Sequence, residues 1–454
     1  MRTRLTVGLI FALAILSAAQ EQRENPPLTL QQAVKIALEK NPARKAALAD
    51  TRAASAQIKT AHSYLLPQVS FSETATRGND PVYVFGSRLR QQRFTQNDFT
   101  LNALNRPLPI GNFATRLEGK WNLFNSFASW HGLSQARFMA EAAAHQLDRA
   151  EQEIVFRVIA SYHDALLSAK QMDVPEQSSK AAQAIVDRSQ SRFESGLVVE
   201  SDLLTAKVRL ASRQEELIRA RNAHDLALAQ LNSALGVSME STFELTQALA
   251  ERALPVPALQ DLDAQALAKH PDLKRIAAEL AAQKQGVALA KSDFGPQVNA
   301  FAGWELDNPT LLAGGGGNNW VGGIELKLDL FNGGSRRAEL QRQKALEEKV
   351  TAMKQLAEDA VRLEVRRAYY DVDSTRQQIE VARASIAQAQ DSLRINQDRY
   401  ESGLITITDL LAAEDAARRS QNDYWEAVSR FQTSYASLEL ASGTLNLQSP
   451  VVMP

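Results

Sequence analysis

The chain has 454 residues, a formal net charge of −1 and no cysteine. A charge balance this close to neutral provides no basic field, so we expect no nucleic-acid partner. Without cysteine we expect no disulfide, no thiolate chemistry and no acylated cysteine as a lipid anchor. Aromatic residues make up only 6% of the chain, and its many Ala, Gln, Arg, Glu and Leu residues favour long helices over a thick globular core.

The N-terminus has the three parts of a secretory signal peptide. Arg2 and Arg4 form a basic region, residues 5–16 are apolar, and Ser17-Ala18-Ala19 is a small-residue cleavage signal. We therefore predict that residues 1–19 direct export and are then removed. The other apolar runs are shorter than the ~20 residues that a membrane-spanning helix needs.

The rest of the chain contains a long internal repeat. Asn41-Pro42 matches His270-Pro271 at an offset of 229 residues, and Ser195-Gly196-Leu197 matches Ser402-Gly403-Leu404 at an offset of 207. The difference places 22 extra residues in the first copy, after Val69. Such a long period indicates a duplicated half-protein rather than a solenoid unit. We predict a first repeat over 20–240, a linker over 241–258, a second repeat over 259–445 and a tail over 446–454.

Each repeat is predicted to begin with two helices that end near prolines. Residues 30–40 and 262–269 form the first helix of each copy, and residues 43–66 and 273–294 form the second. Pro67 and Pro296 then end the helix, since proline cannot continue a helix but is tolerated at the start of a strand. The strands that follow are predicted near 68–77, 116–124, 297–306 and 320–330.

Charged and apolar residues alternate in the last predicted strand of each copy. Successive strand side chains point to opposite faces, so the charges share one face; they are Glu118, Lys120, Glu325, Lys327 and Asp329. This pattern alone also fits a half-exposed strand of a soluble sandwich. In a bilayer, however, four strands with open edges would leave backbone groups unpaired, and a closed barrel needs at least ~8 strands. If these strands span a membrane, we expect a trimer that combines twelve of them.

The longest predicted helices follow the strands, over 129–193 and 336–400. At 1.5 Å per residue, each would extend on the order of 100 Å. Gly196 and Gly403 then supply the positive φ with which a chain reverses cheaply at a helix end. Apolar residues recur at three-, four- and seven-residue steps on the returning helices, which indicates side-by-side helix packing.

Polar residues follow both predicted reversals. Ser201 and Thr408 are expected to cap the returning helices, because a hydroxyl at this position accepts a hydrogen bond from a free backbone N–H. Asp202 and Asp409 add a carboxylate near the positive end of each helix.

With these motifs in this order, the chain resembles the TolC family of outer-membrane efflux proteins, from about Leu28 to Leu445. Any one motif is weakly specific, whereas two matching tips in register are specific. The residues that carry the resemblance are Leu66-Pro67-Gln68, Leu330-Phe331-Asn332-Gly333-Gly334, Phe193-Glu194-Ser195-Gly196-Leu197 with Ser201-Asp202-Leu203-Leu204, and Tyr400-Glu401-Ser402-Gly403-Leu404 with Thr408-Asp409-Leu410-Leu411.

The resemblance implies a mainly α-helical chain with a membrane β-barrel part, in which a homotrimer forms a 12-stranded outer-membrane barrel continued by a periplasmic α-helical barrel. It implies a passive exit duct of a tripartite efflux pump or a type I secretion system, in the bacterial outer membrane and extending into the periplasm. The implied partners are outer-membrane lipid, a periplasmic adaptor and, through it, an inner-membrane transporter. No enzymatic activity and no cofactor are implied. The tip residues expected to bind the adaptor are Gly196, Leu197, Ser201, Gly403, Leu404 and Thr408.

The resemblance also implies a gate at the periplasmic tips. Tyr400 and Asp202 match a polar link that closes the entrance in this family, and Asp409 matches a ring of aspartates. Ile405 and Ala412 stand where the family pattern has an arginine and a second aspartate. We therefore expect the rest of the closure to be weaker or built differently, and an ordinary solvated helix cap is the alternative role for Asp409.

Three further features complete the interpretation. The segment 77–115 joins the first two strands and is rich in Phe and Arg; it is expected at the outer surface, either as an ordered loop or as a folded cap against lipopolysaccharide or a neighbouring subunit. The six histidines form no HExxH-type pair, so no metal site is expected. The alternative to a channel is a soluble periplasmic coiled-coil scaffold or adaptor, which would not need strands with a wholly apolar face.

Overall fold

The computed structural model describes residues 26–311, 316–402, 404, 405 and 407–453. The predicted signal peptide and Gly403 therefore lie outside the described residues. The chain divides into two compact units. The helix unit comprises the chain up to Ala46, Arg149–His270 and the chain from Ala360 onward, and the strand unit comprises Ala47–Asp148 and Pro271–Asp359.

The elements repeat in the same order along the chain. The described helices are α1 (Leu30–Lys40), α2 (Pro42–Ser63), α3 (Pro81–Arg90), α4 (Leu101–Asn105), α5 (Ala128–Glu194), α6 (Glu200–Leu235), α7 (Leu259–Lys269), α8 (Pro271–Ser292), α9 (Ser335–Glu401) and α10 (Ile407–Ala441), with a 3₁₀ helix at Gln96–Phe99. The described strands are β1 (Pro27–Leu28), β2 (Gln68–Gly78), β3 (Ile110–Phe124), β4 (Glu244–Leu245), β5 (Gln297–Asn308) and β6 (Gly317–Lys327).

The short helices α1 and α7 end where the chain approaches a proline. Asn41 and His270 both have extended backbone conformations, with ψ of 127° and 124°. The proline ring that follows disfavours the helical region for the residue before it. Pro42 and Pro271 then become the first residues of α2 and α8, a position where the missing N–H is not needed.

The two longest helices, α5 and α9, contain 67 residues each. Each is one residue longer at both ends than the sequence pattern predicts, and α5 continues through Pro175. A helix of this length extends on the order of 100 Å. In the described part of the chain, no helix combines the length and the apolarity needed to cross a membrane.

Two glycines permit a close backbone contact that occurs once in each repeat. Gly236 ends α6 with φ of +71°, and a Cβ atom there would lie 2.6 Å from Cα of Asn41. Gly443 follows α10 with φ of +69°, and a Cβ atom there would lie 2.6 Å from Cα of His270. Only glycine meets both demands, because it tolerates positive φ and has no side chain to collide with the neighbouring backbone.

The core of the helix unit is built around Tyr162 on α5. Its side chain is fully buried, as are those of Val158 and Ile159 one turn away. The Tyr162 hydroxyl donates a 2.9 Å hydrogen bond to the carbonyl of Leu28, in the short strand β1 that pairs with β4. The hydrogen bond satisfies the one polar atom that this aromatic side chain brings into the core.

The strand unit holds an antiparallel sheet with strand order β2-β3-β5-β6. Strand β3 starts at Ile110, earlier than predicted, because Ile110 and its neighbours pair with the end of β2. Strand β6 ends at Lys327, so Asp329 lies beyond the sheet. The segment between β2 and β3 contains α3, the 3₁₀ helix and α4, and it is therefore a folded segment rather than a plain loop.

Replacement of Gly443 by alanine is expected to lower the free energy of unfolding by at least about 2 kcal/mol, because the new Cβ adds a backbone collision to the strain of positive φ. Gly196→Ala is the matched control. Gly196 has φ of +67° but open space around its Cβ position, so we expect a loss of only about 1 kcal/mol. Equal losses in chemical denaturation would show that the contact with His270 adds nothing.

A second prediction concerns Glu439 on α10, whose burial raises the pKa of its carboxyl group from 4.5 to about 7. Below pH 4.5 the carboxyl group is neutral in both the native and the unfolded state. Between pH 4.5 and 7 it is ionised in the unfolded state but still mostly neutral in the native state, which favours unfolding. This side chain therefore lowers the free energy of unfolding by up to about 3 kcal/mol between these pH values. We expect Glu439→Gln to reduce the loss of stability from pH 4.5 to pH 8, measured by urea denaturation, whereas Gln at the exposed Glu348 should leave it unchanged.

Candidate functional site

The charged residues predicted to share a strand face do so in the sheet. Lys120 lies opposite Gln68 and Phe301, and Glu118 lies opposite Ser70. On the other side of the sheet's midline, Glu325 pairs with Asn299 and Lys327 with Gln297. The alternation of side chains therefore places Glu118, Lys120, Glu325 and Lys327 on one face, which we call the polar face.

Ion pairs within this face keep its charges balanced. The Lys120 ammonium lies 3.1 Å from a carboxylate oxygen of Glu118. Asp329, predicted as the fifth member, lies two residues past the end of β6, and its carboxylate is 3.7 Å from the Lys327 ammonium. Asp329 thus continues the charged row without being part of the paired strand.

The opposite face of the sheet is apolar and exposed. Trp304 and Trp320 lie directly opposite each other on β5 and β6, and Leu117 is opposite Trp304 on β3. The large side chains of this face have between 40% and 81% of their surface exposed; they are Val69, Phe71, Leu117, Trp121, Trp304, Trp320, Ile324 and Leu326. Exposed apolar patches of this kind mark surfaces that contact a partner or a membrane, and tryptophan suits the boundary of a lipid layer.

The chain reversals share one backbone hydrogen bond, made at corresponding positions of the two repeats. At the first, the N–H of Leu197 donates to the carbonyl of Arg192 at 2.8 Å, and Gly196 has φ of +67°. At the second, the N–H of Leu404 donates to the carbonyl of Arg399 at 2.9 Å. A six-residue hydrogen bond around a left-handed glycine is a standard way to end a helix. The leucine side chains that follow are 73% and 72% exposed.

The expected capping role of Ser201 is wrong. Helix α6 begins at Glu200, its N-cap is Val199, and no side chain accepts a capping hydrogen bond there. Ser201 is the second helical residue, two residues past the N-cap position. Thr408 likewise falls inside α10, and its side chain lies outside the description. Position in the tip motif is a poor guide to the cap because helix ends are set by backbone geometry.

The expected gate residues lie near these reversals but are not joined within one chain. Asp202 is in the first turn of α6 and Asp409 in the first turn of α10, where a carboxylate is favoured by the helix dipole. Tyr400 is 40% exposed near the end of α9. Among the described contacts of a single chain, the side chains of Tyr400 and Asp202 form no hydrogen bond.

A network of charges that the sequence analysis missed joins α6 to α10. The Arg213 guanidinium lies 2.9 Å from Glu216 and 3.3 Å from Asp415, and that of Arg418 lies 3.3 Å from each of the same carboxylates. Each carboxylate thus bridges two arginines on different helices, a geometry that favours fixed spacing. At the repeat offset, Arg213 corresponds to Ser420, so the duplication gave no sign of this network.

Comparisons with known proteins agree with this description. A family model described as outer membrane efflux protein matches residues 33–237 and 262–444. The two matched segments begin 229 residues apart and end 207 residues apart, which are the two offsets of the internal repeat. Each copy therefore matches the same family model.

Individual relatives extend over most of the chain. The protein CyaE of Bordetella pertussis is 24% identical over 422 residues, which is 92% of this chain and 84% of the relative. The outer membrane protein TolC of Escherichia coli is 22% identical over 430 residues, with 90% and 80% covered. The CmeC outer membrane channel of Campylobacter jejuni has a similar fold, with a TM-score of 0.78, 17% identity and 93% of this chain and 87% of that chain covered.

The family match covers both repeats, and the fold is that of TolC-type channels. Members of this family are outer-membrane channels, which accounts for the exposed apolar face of the sheet. The chain belongs to the outer membrane efflux protein family.

Proposed function

We propose that three copies of this chain assemble into one export channel and that each contributes four strands to a closed 12-stranded barrel. The observation that carries this proposal is the sheet itself, which has one charged face, one exposed apolar face and two free edges, β2 and β6. Because the four strands alternate in direction, β6 of one copy is antiparallel to β2 of the next. A closed ring therefore pairs every edge, as hydrocarbon requires.

In such a barrel the polar face lines the lumen and the apolar face contacts lipid. Glu118, Lys120, Glu325 and Lys327 then lie along a water-filled passage, and Asp329 lies just past the end of its strand. Charges of both signs in this wall support passage of varied solutes rather than selection of one ion. The choice of cargo, by efflux or by type I secretion, then belongs to the transporter.

The two chain reversals are proposed to bind a periplasmic adaptor, which links the channel to an inner-membrane transporter. Leu197 and Leu404 support this assignment, because both are about 72% exposed at turns whose backbone is fixed by hydrogen bonds. Exposed apolar side chains on rigid turns are suited to insertion into a partner's groove. The proposed contact set is Gly196, Leu197, Ser201, Gly403, Leu404 and Thr408.

The entrance is proposed to close by contacts between neighbouring chains and within each chain. Between chains, Tyr400 of one copy donates to Asp202 of the next, since neither side chain forms a hydrogen bond with another described residue of its own chain. The three Asp409 carboxylates attract cations. Within each chain, Arg213 and Arg418 hold α6 against α10 through shared carboxylates. This network takes the place of the arginine and aspartate that Ile405 and Ala412 replace.

The assembly is tested by the native mass of the processed protein, extracted in detergent from the outer-membrane fraction. We expect a trimer of about three protomer masses, because a single sheet with two free edges and one apolar face is incomplete in lipid. Ser70→Pro, near the start of edge strand β2 (Gln68–Gly78), should reduce the trimer fraction by removing a backbone donor. A monomer or dimer from the soluble periplasm would overturn the proposal.

The gate is tested by Tyr400→Phe, which removes only the hydroxyl. Loss of one charge-assisted hydrogen bond per interface corresponds to about 1.5–3 kcal/mol, so we expect a clear rise in the closed-state conductance of the purified channel in planar bilayers. Tyr370→Phe is the matched control, since Tyr370 is on the same helix and is 62% exposed. If the two variants conduct equally, Tyr400 is not part of the closure.

A further inference from the structure

The 79–109 stretch between β2 and β3, here called the mouth segment, has a core of its own. Phe94 packs edge-on against Phe85 and Phe99, with ring centroids 4.8 and 5.0 Å apart. Arg88 forms an ion pair with Asp98, whose carboxylate side chain is almost fully buried. These contacts hold α3 and the 3₁₀ helix together as one body, so this part of the segment has a fixed shape.

Helix α3 lies against the polar face of the sheet. A cavity of about 530 Å³ separates the helix from the strands. All the strand residues that line it belong to the polar face by the pairing register; they are Ser72, Thr74, Thr76, Asn112, Ala114, Arg116 and Glu305. The apolar face contributes no lining residue, so the mouth segment covers the side of the sheet that carries Glu118 and Lys120.

Hydrogen bonds join the mouth segment to β2 and β3, the two strands that it connects. The Tyr83 hydroxyl donates a 2.9 Å hydrogen bond to the carbonyl of Thr76 on β2. The Gln91 amide donates at 2.8 Å to the side chain of Asn112 and at 2.9 Å to the carbonyl of Gly111, both on β3. Gln91 is only 3% exposed, so these bonds are shielded from water.

Further contacts reach the other two strands. The Arg90 guanidinium lies 3.1 Å from Glu305 on β5. Asn319 on β6 donates at 3.2 Å to the backbone carbonyl of Arg90. The segment leaves the sheet from one edge strand and contacts the opposite edge strand, so it crosses the full width of the sheet.

The sheet beneath the mouth segment contains a buried carboxylate that is linked to the segment by hydrogen bonds. Asp307 is fully buried, and its carboxylate accepts a 2.6 Å hydrogen bond from Asn112 and a 3.2 Å hydrogen bond from Asn319. Asn112 also accepts from Gln91. The Asp307 carboxylate therefore accepts hydrogen bonds from both neighbouring strands, β3 and β6. The Asn112 side chain extends this network to Gln91 in the mouth segment.

We infer that the mouth segment lies inside the lumen and restricts the outer exit of the channel. This inference rests on the proposed barrel, in which the polar face lines the passage. Twelve strands about 4.8 Å apart, tilted by about 40°, enclose a backbone cylinder about 24 Å across. A helix with its side chains is about 10 Å wide. Three segments projecting from the wall leave an opening on the order of a few ångströms, so large cargo passes only when the segments move aside.

The chemistry of the attachment suits a part that moves. The contacts with the wall described above are hydrogen bonds and one ion pair, whereas the ring contacts among Phe85, Phe94 and Phe99 are internal. In a water-filled lumen such polar contacts exchange with water at modest net cost. The aromatic core keeps the segment folded when it detaches, so opening does not require unfolding.

The test exploits the absence of cysteine from the chain. Ser70→Cys places a single thiol on the polar face, one residue pair below the cavity lining, and Val69→Cys places one on the apolar face. Intact cells are treated from outside with a small charged thiol reagent or with a maleimide carrying a bulky polyethylene glycol. We expect Ser70→Cys to react with the small reagent but not the bulky one.

Two changes to the mouth segment should then admit the bulky reagent. Replacement of residues 81–105 by a short Gly-Ser loop removes the restriction. Arg90→Ala with Gln91→Ala keeps the segment but releases two of its anchors, and we expect bulky labelling of Ser70→Cys to rise about tenfold. Arg93→Ala is the control, because it removes the same charge from an exposed position without touching the wall.

The outcomes separate this inference from the proposed function. Bulky labelling of Ser70→Cys in the otherwise unchanged protein, at the same rate as in the released variant, overturns the restriction and leaves the channel intact. Labelling of Val69→Cys by the small charged reagent, with Ser70→Cys protected, would mean that the polar face is not the lumen. That result overturns the proposed barrel and the restriction together.

Discussion

The rest of the structure depends on one constraint, which is that its four-stranded sheet is unfinished in a single chain. Both edge strands leave backbone groups unpaired, and one face exposes tryptophan, phenylalanine and leucine. In water such a sheet would aggregate, and in lipid its edges would be costly. Both problems disappear when strands from several copies close into a ring. The duplication supplies an even number of strands, so the antiparallel alternation continues across each junction.

The helix unit has a different requirement, because it must hold very long helices together without a thick hydrophobic core. It does so with close backbone contacts that each repeat makes once, through Gly236 and Gly443. The charge network around Arg213 and Arg418 is not duplicated. The two copies thus share the contacts that build the fold but differ in those that join one returning helix to the other, where the proposed entrance must open and close.

The polar face of the sheet serves two proposed purposes along its length. The part near the start of β2 carries paired charges such as Glu118 and Lys120, which suit the wall of a water-filled lumen. The part near the end of β2 is covered by the mouth segment and contains a buried carboxylate, Asp307, that accepts hydrogen bonds from the amides of Asn112 and Asn319. The helices of this segment also explain why the first repeat contains 22 extra residues.

The sequence by itself determined the repeat, the order of its elements, the long helices and the shared face of the strand charges, because proline, glycine and two-residue alternation act over short distances. It misplaced the cap at Ser201 and the strand boundary before Asp329, since backbone pairing rather than residue type sets such ends. Only the tertiary structure decided which face the 79–109 segment covers and which carboxylates Arg213 meets. Those contacts join residues far apart in the chain, and nothing local in the sequence specifies them.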